Sequence, residues 1–267
     1  MVLVLGANIF EFDGQLYKQK DGTAIGTRAA PTFANLFMGE WEKALQDGWT
    51  GTKLDFYLRF IDDLFFLWWG TVDELVKFVE FASSIIPPIK VAVDYDFGKR
   101  SVNYLDMTVF IDNEGFIRTD LYKKENRRVA YLMPSSAHPG HVTRNIPYSL
   151  AYRIRRICWS EELLETRLTE LCTDLVSRSY RRRSILDSFE RVRQVPRAEA
   201  IKRMHRDRET NQRVRFIVKY DPRLPDIRST LLRSWKVMTE DKEMKRVFPN
   251  PPMVCYQKVK SHGGDAS

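Results

Sequence analysis

The chain has 267 residues, 43% hydrophobic and 29% charged, with 43 Lys/Arg against 35 Asp/Glu and a formal charge of +8. That content excludes wholesale disorder and suffices for one large domain or two smaller ones with real cores. Three widely spaced cysteines (Cys158, Cys172, Cys255) and four scattered histidines give neither a disulfide framework nor a CxxC metal knuckle, so a reducing compartment is the simpler reading.

The opening MVLVLGA is apolar but lacks a basic flank and is too short for a signal-peptide core or a membrane span. The run IDDLFFLWWG is likewise short and interrupted by acids. The expectation is a soluble, intracellular chain, nuclear or cytoplasmic, neither secreted nor membrane-bound. ANIFEFDGQLYKQ alternates around Asp13-Gly14, a hairpin signal. DGTAIGTRAAPTFANLFMGEWEKALQDG then passes from a Gly/Thr loop into a helix. Pro31 stands near its first turn, Phe33, Leu36, Phe37, Trp41 and Leu45 recur at helical spacing, and it ends near Gly48.

Residues 54–69 predict a second hairpin whose tip is Ile61, Asp62 and Asp63. TVDELVKFVEFASSII follows as an amphipathic helix, and strands are predicted at IKVAVDYDF, VNYLDMTVFI and FIRTDLYKK, completing an α+β unit. From Pro147 the pattern is mainly helical, through YSLAYRIRRICW, EELLETRLTELCTDLVSRSY and SILDSFERVRQ. The tail KVKSHGGDAS is small and polar and is expected to fray.

Charge is unevenly distributed along these elements. Residues 1–140 hold 15 Lys/Arg against 19 Asp/Glu, residues 141–220 hold 19 against 10, and residues 221–267 hold 9 against 6. The excess is arginine in clusters such as YRIRRIC, SRSYRRR and NQRVRF. Arginine suits phosphate forks, so a polyanion partner is one reading. Solvated helix faces neutralised by Glu161, Glu162, Glu165 and Glu170 are the other.

Asp stabilises turns, which gives Asp62 and Asp63 an ordinary structural explanation. Two adjacent carboxylates at the tip of a stiff aromatic hairpin also repel each other, and a divalent cation relieves that repulsion. Oxygen-only ligation with open positions suits Mg²⁺ or Mn²⁺ and a phosphate substrate; a metal pair can activate a 3′-hydroxyl and stabilise a leaving pyrophosphate. The loop GTAIGTRAAP has glycines where a nucleotide or template backbone can approach closely, and its helix presents an N-terminal turn to phosphate.

QKDGTAIGTRAAPTFANLFMGEWE, YLRFIDDLFFLWWGTVDELVKF, VNYLDMTVF and AYLMPSSAHPGHVTRNIPYSLAYRIRRIC together resemble the reverse transcriptases of Penelope-like retroelements. The resemblance implies a partial right-hand polymerase, with a palm made of a β-hairpin and helices over residues 1–130 and a mainly helical, basic thumb over 131–256. A flexible tail over 257–267 follows. It implies that Asp62 and Asp63 are the metal-binding pair of motif C, that Gly22, Gly26, Thr27 and Pro31 of motif B contact nucleotide or template together with Phe60, and that the cofactor is Mg²⁺ or Mn²⁺. Implied partners are an RNA template, an RNA–DNA hybrid or DNA primer, and deoxynucleoside triphosphates. Arg153, Arg155, Arg156, Arg178, Arg181 and Arg182 are the arginines expected on nucleic acid, with Arg153/Arg156 and Arg178/Arg182 spaced to share helix faces.

Three departures accompany the resemblance. Phe60 stands where the family's motif C has tyrosine; the motif A segment with its third aspartate and the fingers are absent upstream; and no GIY-YIG endonuclease follows. The sequence therefore leads to three readings: a palm and thumb fragment of an RNA-directed DNA polymerase that is inactive alone, a non-catalytic nucleic-acid-binding module, or a structural protein with a solvated basic face.

Overall fold

The computed structural model describes residues 6, 8–24, 26–94, 100–124, 128–202, 213–221, 223–224 and 226–257. The chain mixes helix and strand and divides into two compact units, Met1–Ile117 and Arg118–Ser267. The frayed tail expected after Gln257 lies outside the described residues.

In the first unit, β1 (Ile9–Phe12) and β2 (Gln15–Lys18) form an antiparallel hairpin with Phe12 opposite Gln15. Asp13 (φ 50°) and Gly14 (φ 71°) both take the left-handed conformation that a tight two-residue hairpin turn needs, as the Asp-Gly pair predicted. Helix α1 (Ala30–Gly48) starts with Pro31 in its first turn and buries Trp41 and Leu45. Strands β3 (Asp55–Phe60) and β4 (Asp63–Leu67) pair antiparallel, with an irregularity between Asp55 and Leu58 where Phe56 adopts φ 50°. Helix α2 (Val72–Ser84) begins with a reciprocal cap: the Glu74 amide donates to Thr71 Oγ1 (3.2 Å) and the Thr71 amide donates to Glu74 Oε2 (2.8 Å).

Trp41, Leu45, Leu75, Phe78 and Ala82 form the core of this unit, flanked by half-buried Leu64, Phe66 and Trp68. Trp41 Nε1 donates to the Ala82 carbonyl at 3.0 Å, so the largest buried side chain also has its polar atom satisfied. The stretch VNYLDMTVFI, predicted as one strand, is a hairpin of β5 (Ser101–Tyr104) and β6 (Met107–Ile111). Leu105 takes φ 55° at its turn, and Thr108 donates to Asn103 across the pair. The strand expected at IKVAVDYDF is not formed over residues 89–94, and the remainder of that stretch lies outside the described residues.

The division between units falls within β7 (Ile117–Leu121), earlier than the expected palm boundary after residue 130. The reason is backbone and side-chain bonding to the second unit. Thr119 Oγ1 donates to the Ile157 carbonyl, the Trp159 amide donates to the Thr119 carbonyl, and Asp120 pairs with Arg167.

Helices α3 (Gly140–Ile157), α4 (Glu161–Ser177) and α5 (Arg182–Arg193) pack around Ala151, Ile154, Leu164, Leu168, Leu175 and Phe189. Helix α3 starts before Pro147, not at it. Proline lacks an N–H and usually marks a first turn. Here it is inside the helix with its ring fully buried, so packing outweighs the lost backbone bond. A short α6 (Arg197–Ile201) follows. Strands β8 (Arg215–Lys219) and β9 (Met253–Gln257) pair parallel, connected through α7 (Ile227–Met238) and α8 (Lys242–Val247).

Candidate functional site

The first candidate is the β3–β4 turn. Phe60 and Asp63 are opposite in register, so Ile61 and Asp62 make the turn itself, and both aspartates are exposed. Beneath it β3 inverts the usual alternation: Phe56, Leu58 and Phe60 are exposed, while Asp55, Tyr57 and Arg59 are half-buried. Arg59 Nη1 donates to Asn35 Oδ1 (3.0 Å) on α1 and to the Ile61 carbonyl (2.9 Å), and Arg59 Nε lies 2.9 Å from Glu42 Oε1. Burial, then the nearby Glu42 carboxylate, pushes the Tyr57 phenol well above its ordinary value. Burial and the Asp63 charge raise that of Tyr104, which lies against Phe65 with ring centroids 5.2 Å apart.

Asp62 and Asp63 offer carboxylate oxygens only, the donor chemistry of a hard divalent cation. Mg²⁺ is commonly held by one or two carboxylates, with water and substrate phosphates completing its shell. An ion of this kind would be held by these two residues and, when bound, would stabilise negative charge on phosphate oxygens. Among the described residues, no group of three or more His, Cys, Asp or Glu is placed to hold a metal.

The loop before α1 bends through Gly22 (φ 76°) and Gly26 (φ 104°), conformations that glycine adopts without steric cost. Thr27 Oγ1 donates to the Ala24 carbonyl at 3.3 Å, a bond internal to the loop. Pro31 is exposed in the first turn of α1, which carries neither a side-chain cap nor an acidic residue.

The second candidate is the arginine-rich helical region, and here the six expected arginines separate. Arg155 is buried: its Nε donates to the Val195 carbonyl (2.7 Å) and its Nη1 pairs with Glu161, so it belongs to the fold and not to a free face. Arg178 is half-buried, with Nε on the Tyr131 carbonyl at 2.8 Å. It closes α4, whereas Arg182 opens α5. The Arg178/Arg182 pair therefore shares no helix face, because Ser179 (φ 65°) breaks the helix between them. Arg153 and Arg156 are both exposed on α3, and Arg181 and Arg182 are exposed at the start of α5 beside Arg183.

Several other arginines are neutralised internally. Arg167 pairs with Asp120 and Glu170, and Arg193 with Glu165 and Glu190. Arg191 lies over the Tyr148 ring at 4.4 Å and Arg118 over Trp159 at 3.9 Å. The reading of interleaved acids neutralising arginines thus holds for Glu161, Glu165 and Glu170. The reading of exposed cations holds for Arg156, Arg181, Arg182 and Arg183, to which no ion pair is made among the described residues.

Helix α4, the turn at residues 178–181 and helix α5 have the form of two helices joined by a tight turn, with α3 packed on both. Residues 130–190 match the animal helix-turn-helix domain. The match covers α3, α4 and most of α5. No curated protein and no solved structure matches the chain. In helix-turn-helix domains the second helix of the pair reads nucleic acid with its N-terminal residues, and in this segment that end carries Arg181, Arg182 and Arg183. Farther along the same helix, exposed Asp187 and Glu190 oppose a phosphate backbone. Exposed cations in this segment therefore include those at the start of α5 and Arg156 on α3. No helix among the described residues is long and apolar enough to cross a membrane.

Sequence reasoning missed Arg59, Asn35 and Glu42. The available signal was parity: in a strand where Phe56, Leu58 and Phe60 share one face, Arg59 must share the other with Tyr57. Arg183 was visible only as part of the cluster SRSYRRR.

Proposed function

We propose that this chain is a nucleic-acid-binding segment of an RNA-directed DNA polymerase of the Penelope-like reverse transcriptase type. In this reading the first unit carries the acidic metal turn and the helix-turn-helix segment holds template and primer. The observation that carries the reading is the exposed Asp62–Asp63 pair at the turn of a two-stranded hairpin braced by α1. The helix-turn-helix match supports the nucleic-acid partner independently. Asp62 and Asp63 take Mg²⁺ or Mn²⁺, the loop with Gly22, Gly26, Thr27 and Pro31 faces nucleotide or template, and Phe60 borders the metal turn. Exposed arginines at the start of α5 follow phosphates. RNA–DNA hybrid is the expected duplex and deoxynucleoside triphosphates the expected small substrates, in a nuclear or cytoplasmic setting.

A second reading, a nucleic-acid-binding module without chemistry, is favoured by the two-carboxylate donor set of the turn. Two titrations of the purified chain separate them. Mn²⁺ binding that disappears in the Asp62→Asn/Asp63→Asn variant supports the polymerase reading; unchanged affinity removes it. Fluorescence anisotropy with RNA–DNA hybrid at rising salt tests the shared part. Arg181→Ala/Arg182→Ala/Arg183→Ala is expected to weaken binding to unrelated sequences equally and to lower the salt slope by about 3. An unaltered slope overturns the assignment of these arginines.

A further inference from the structure

Ile61 takes φ 58°, a backbone conformation that a β-branched residue avoids and that persists only where its surroundings over-determine it. The guanidinium of Arg59 holds it, its Nη1 donating to the Ile61 carbonyl at 2.9 Å. The same nitrogen donates to Asn35 at 3.0 Å, and Nε lies 2.9 Å from Glu42, both on α1. The Arg59 and Glu42 side chains are only 14% and 20% exposed, so this pairing is shielded from solvent and screened little by salt.

We infer that Arg59 is a positioning residue that clamps the strained turn to α1 and thereby sets where the Asp62 and Asp63 carboxylates stand. The inference rests on the metal reading of that turn. Arg59 acts through the turn and not as a phosphate ligand, because its side chain is only 14% exposed, with Nη1 bonded to two acceptors of the fold and Nε facing Glu42. Its planar fork is what the role requires. Lysine keeps the charge facing Glu42 but has one nitrogen, and it cannot also reach Asn35 and the Ile61 carbonyl in fixed directions. The clamp also gives α1, and the glycine loop that leads into it, a mechanical connection to the acidic turn.

The test uses the full chain with Arg59→Lys, and Glu42→Gln as a milder second variant should the first fold poorly. Hydrogen exchange over residues 58–65 reads the turn directly, and Mn²⁺ titration by electron paramagnetic resonance reads the carboxylates. The expected result is faster exchange at the turn and Mn²⁺ affinity lower by about tenfold, the lesser end of what loss of an outer-shell partner costs. Adding Ile61→Asn to Arg59→Lys should recover part of that affinity, since Asn tolerates the left-handed region and no longer needs the clamp. A merely structural arginine lowers melting temperature without altering Mn²⁺ affinity or showing this rescue. Unchanged exchange at the turn in a folded variant overturns the inference. If the parent chain takes no Mn²⁺, the metal reading fails, and exchange alone decides whether Arg59 holds the turn.

Discussion

Asp120→Asn probes the connection that ties β7 to the helix-turn-helix segment. The Asp120 side chain is 12% exposed and that of Arg167 is 23% exposed. Arg167 donates from Nε to Oδ1 (3.1 Å) and from Nη2 to Oδ2, the Leu121 amide donates to Oδ1 at 2.7 Å, and the Cys158 thiol lies 3.5 Å from the same oxygen. Burial alone pushes the carboxyl up; the Arg167 fork, the Leu121 amide and the Arg167 charge outweigh it, and the net direction is down. Hydrogen bonds to charged groups contribute about 1.5–3 kcal/mol. Arg167 retains Glu170 at 2.8 Å when Asp120 loses its charge, so it is not stranded and the lower part of that range applies. The expected loss is about 2 kcal/mol at neutral pH, or roughly 6 °C in melting temperature for a chain of this size.

The assay is thermal denaturation followed by far-ultraviolet circular dichroism, run at neutral and acid pH. Because the folded-state pKa is depressed, the stabilisation is present above the ordinary carboxylate range and is lost as pH falls through the folded value. The gap between parent and variant should therefore be widest at neutral pH and close in acid. A gap below about 0.5 kcal/mol at neutral pH, within ordinary surface-substitution noise, or one that does not shrink in acid, refutes the argument.

Two further outcomes follow from local geometry. Ser179, at φ 65° in the turn between α4 and α5, occupies a place where glycine has no Cβ clash, so Ser179→Gly should raise stability by about 0.5–1 kcal/mol in urea denaturation. Burial first, then the Asp120 charge, pushes the Cys158 thiol up to about 12, and the side chain is 1% exposed. Native-state alkylation at neutral pH read by mass spectrometry should leave Cys158 unmodified while half-buried Cys255 reacts; rapid labelling of Cys158 would show that α3 opens readily.

The sequence by itself determined whatever depends on near neighbours. Asp13-Gly14 specified the first hairpin because the turn needs two left-handed residues in succession, and Pro31 with the spacing of Trp41 and Leu45 specified α1 and its buried face. The hairpin turn at Asp62 was equally legible, since apolar runs on both sides leave the polar centre as the turn, although Asp63, expected at the tip, is the first residue of β4. Tertiary structure decided what depends on partners distant in the chain. Arg155 and Arg156 are adjacent and chemically alike, yet one is buried on the Val195 carbonyl, 40 residues away, and the other is exposed. Arg59 meets Asn35 across 24 residues and Arg167 meets Asp120 across 47, distances over which no periodicity carries information. Pro147 reads locally as a helix start, but the apolar surface its ring covers keeps it inside α3. Which arginines face solvent, and what holds the acidic turn in a strained conformation, are fixed by burial and by the geometry of acceptors that only the folded chain brings together.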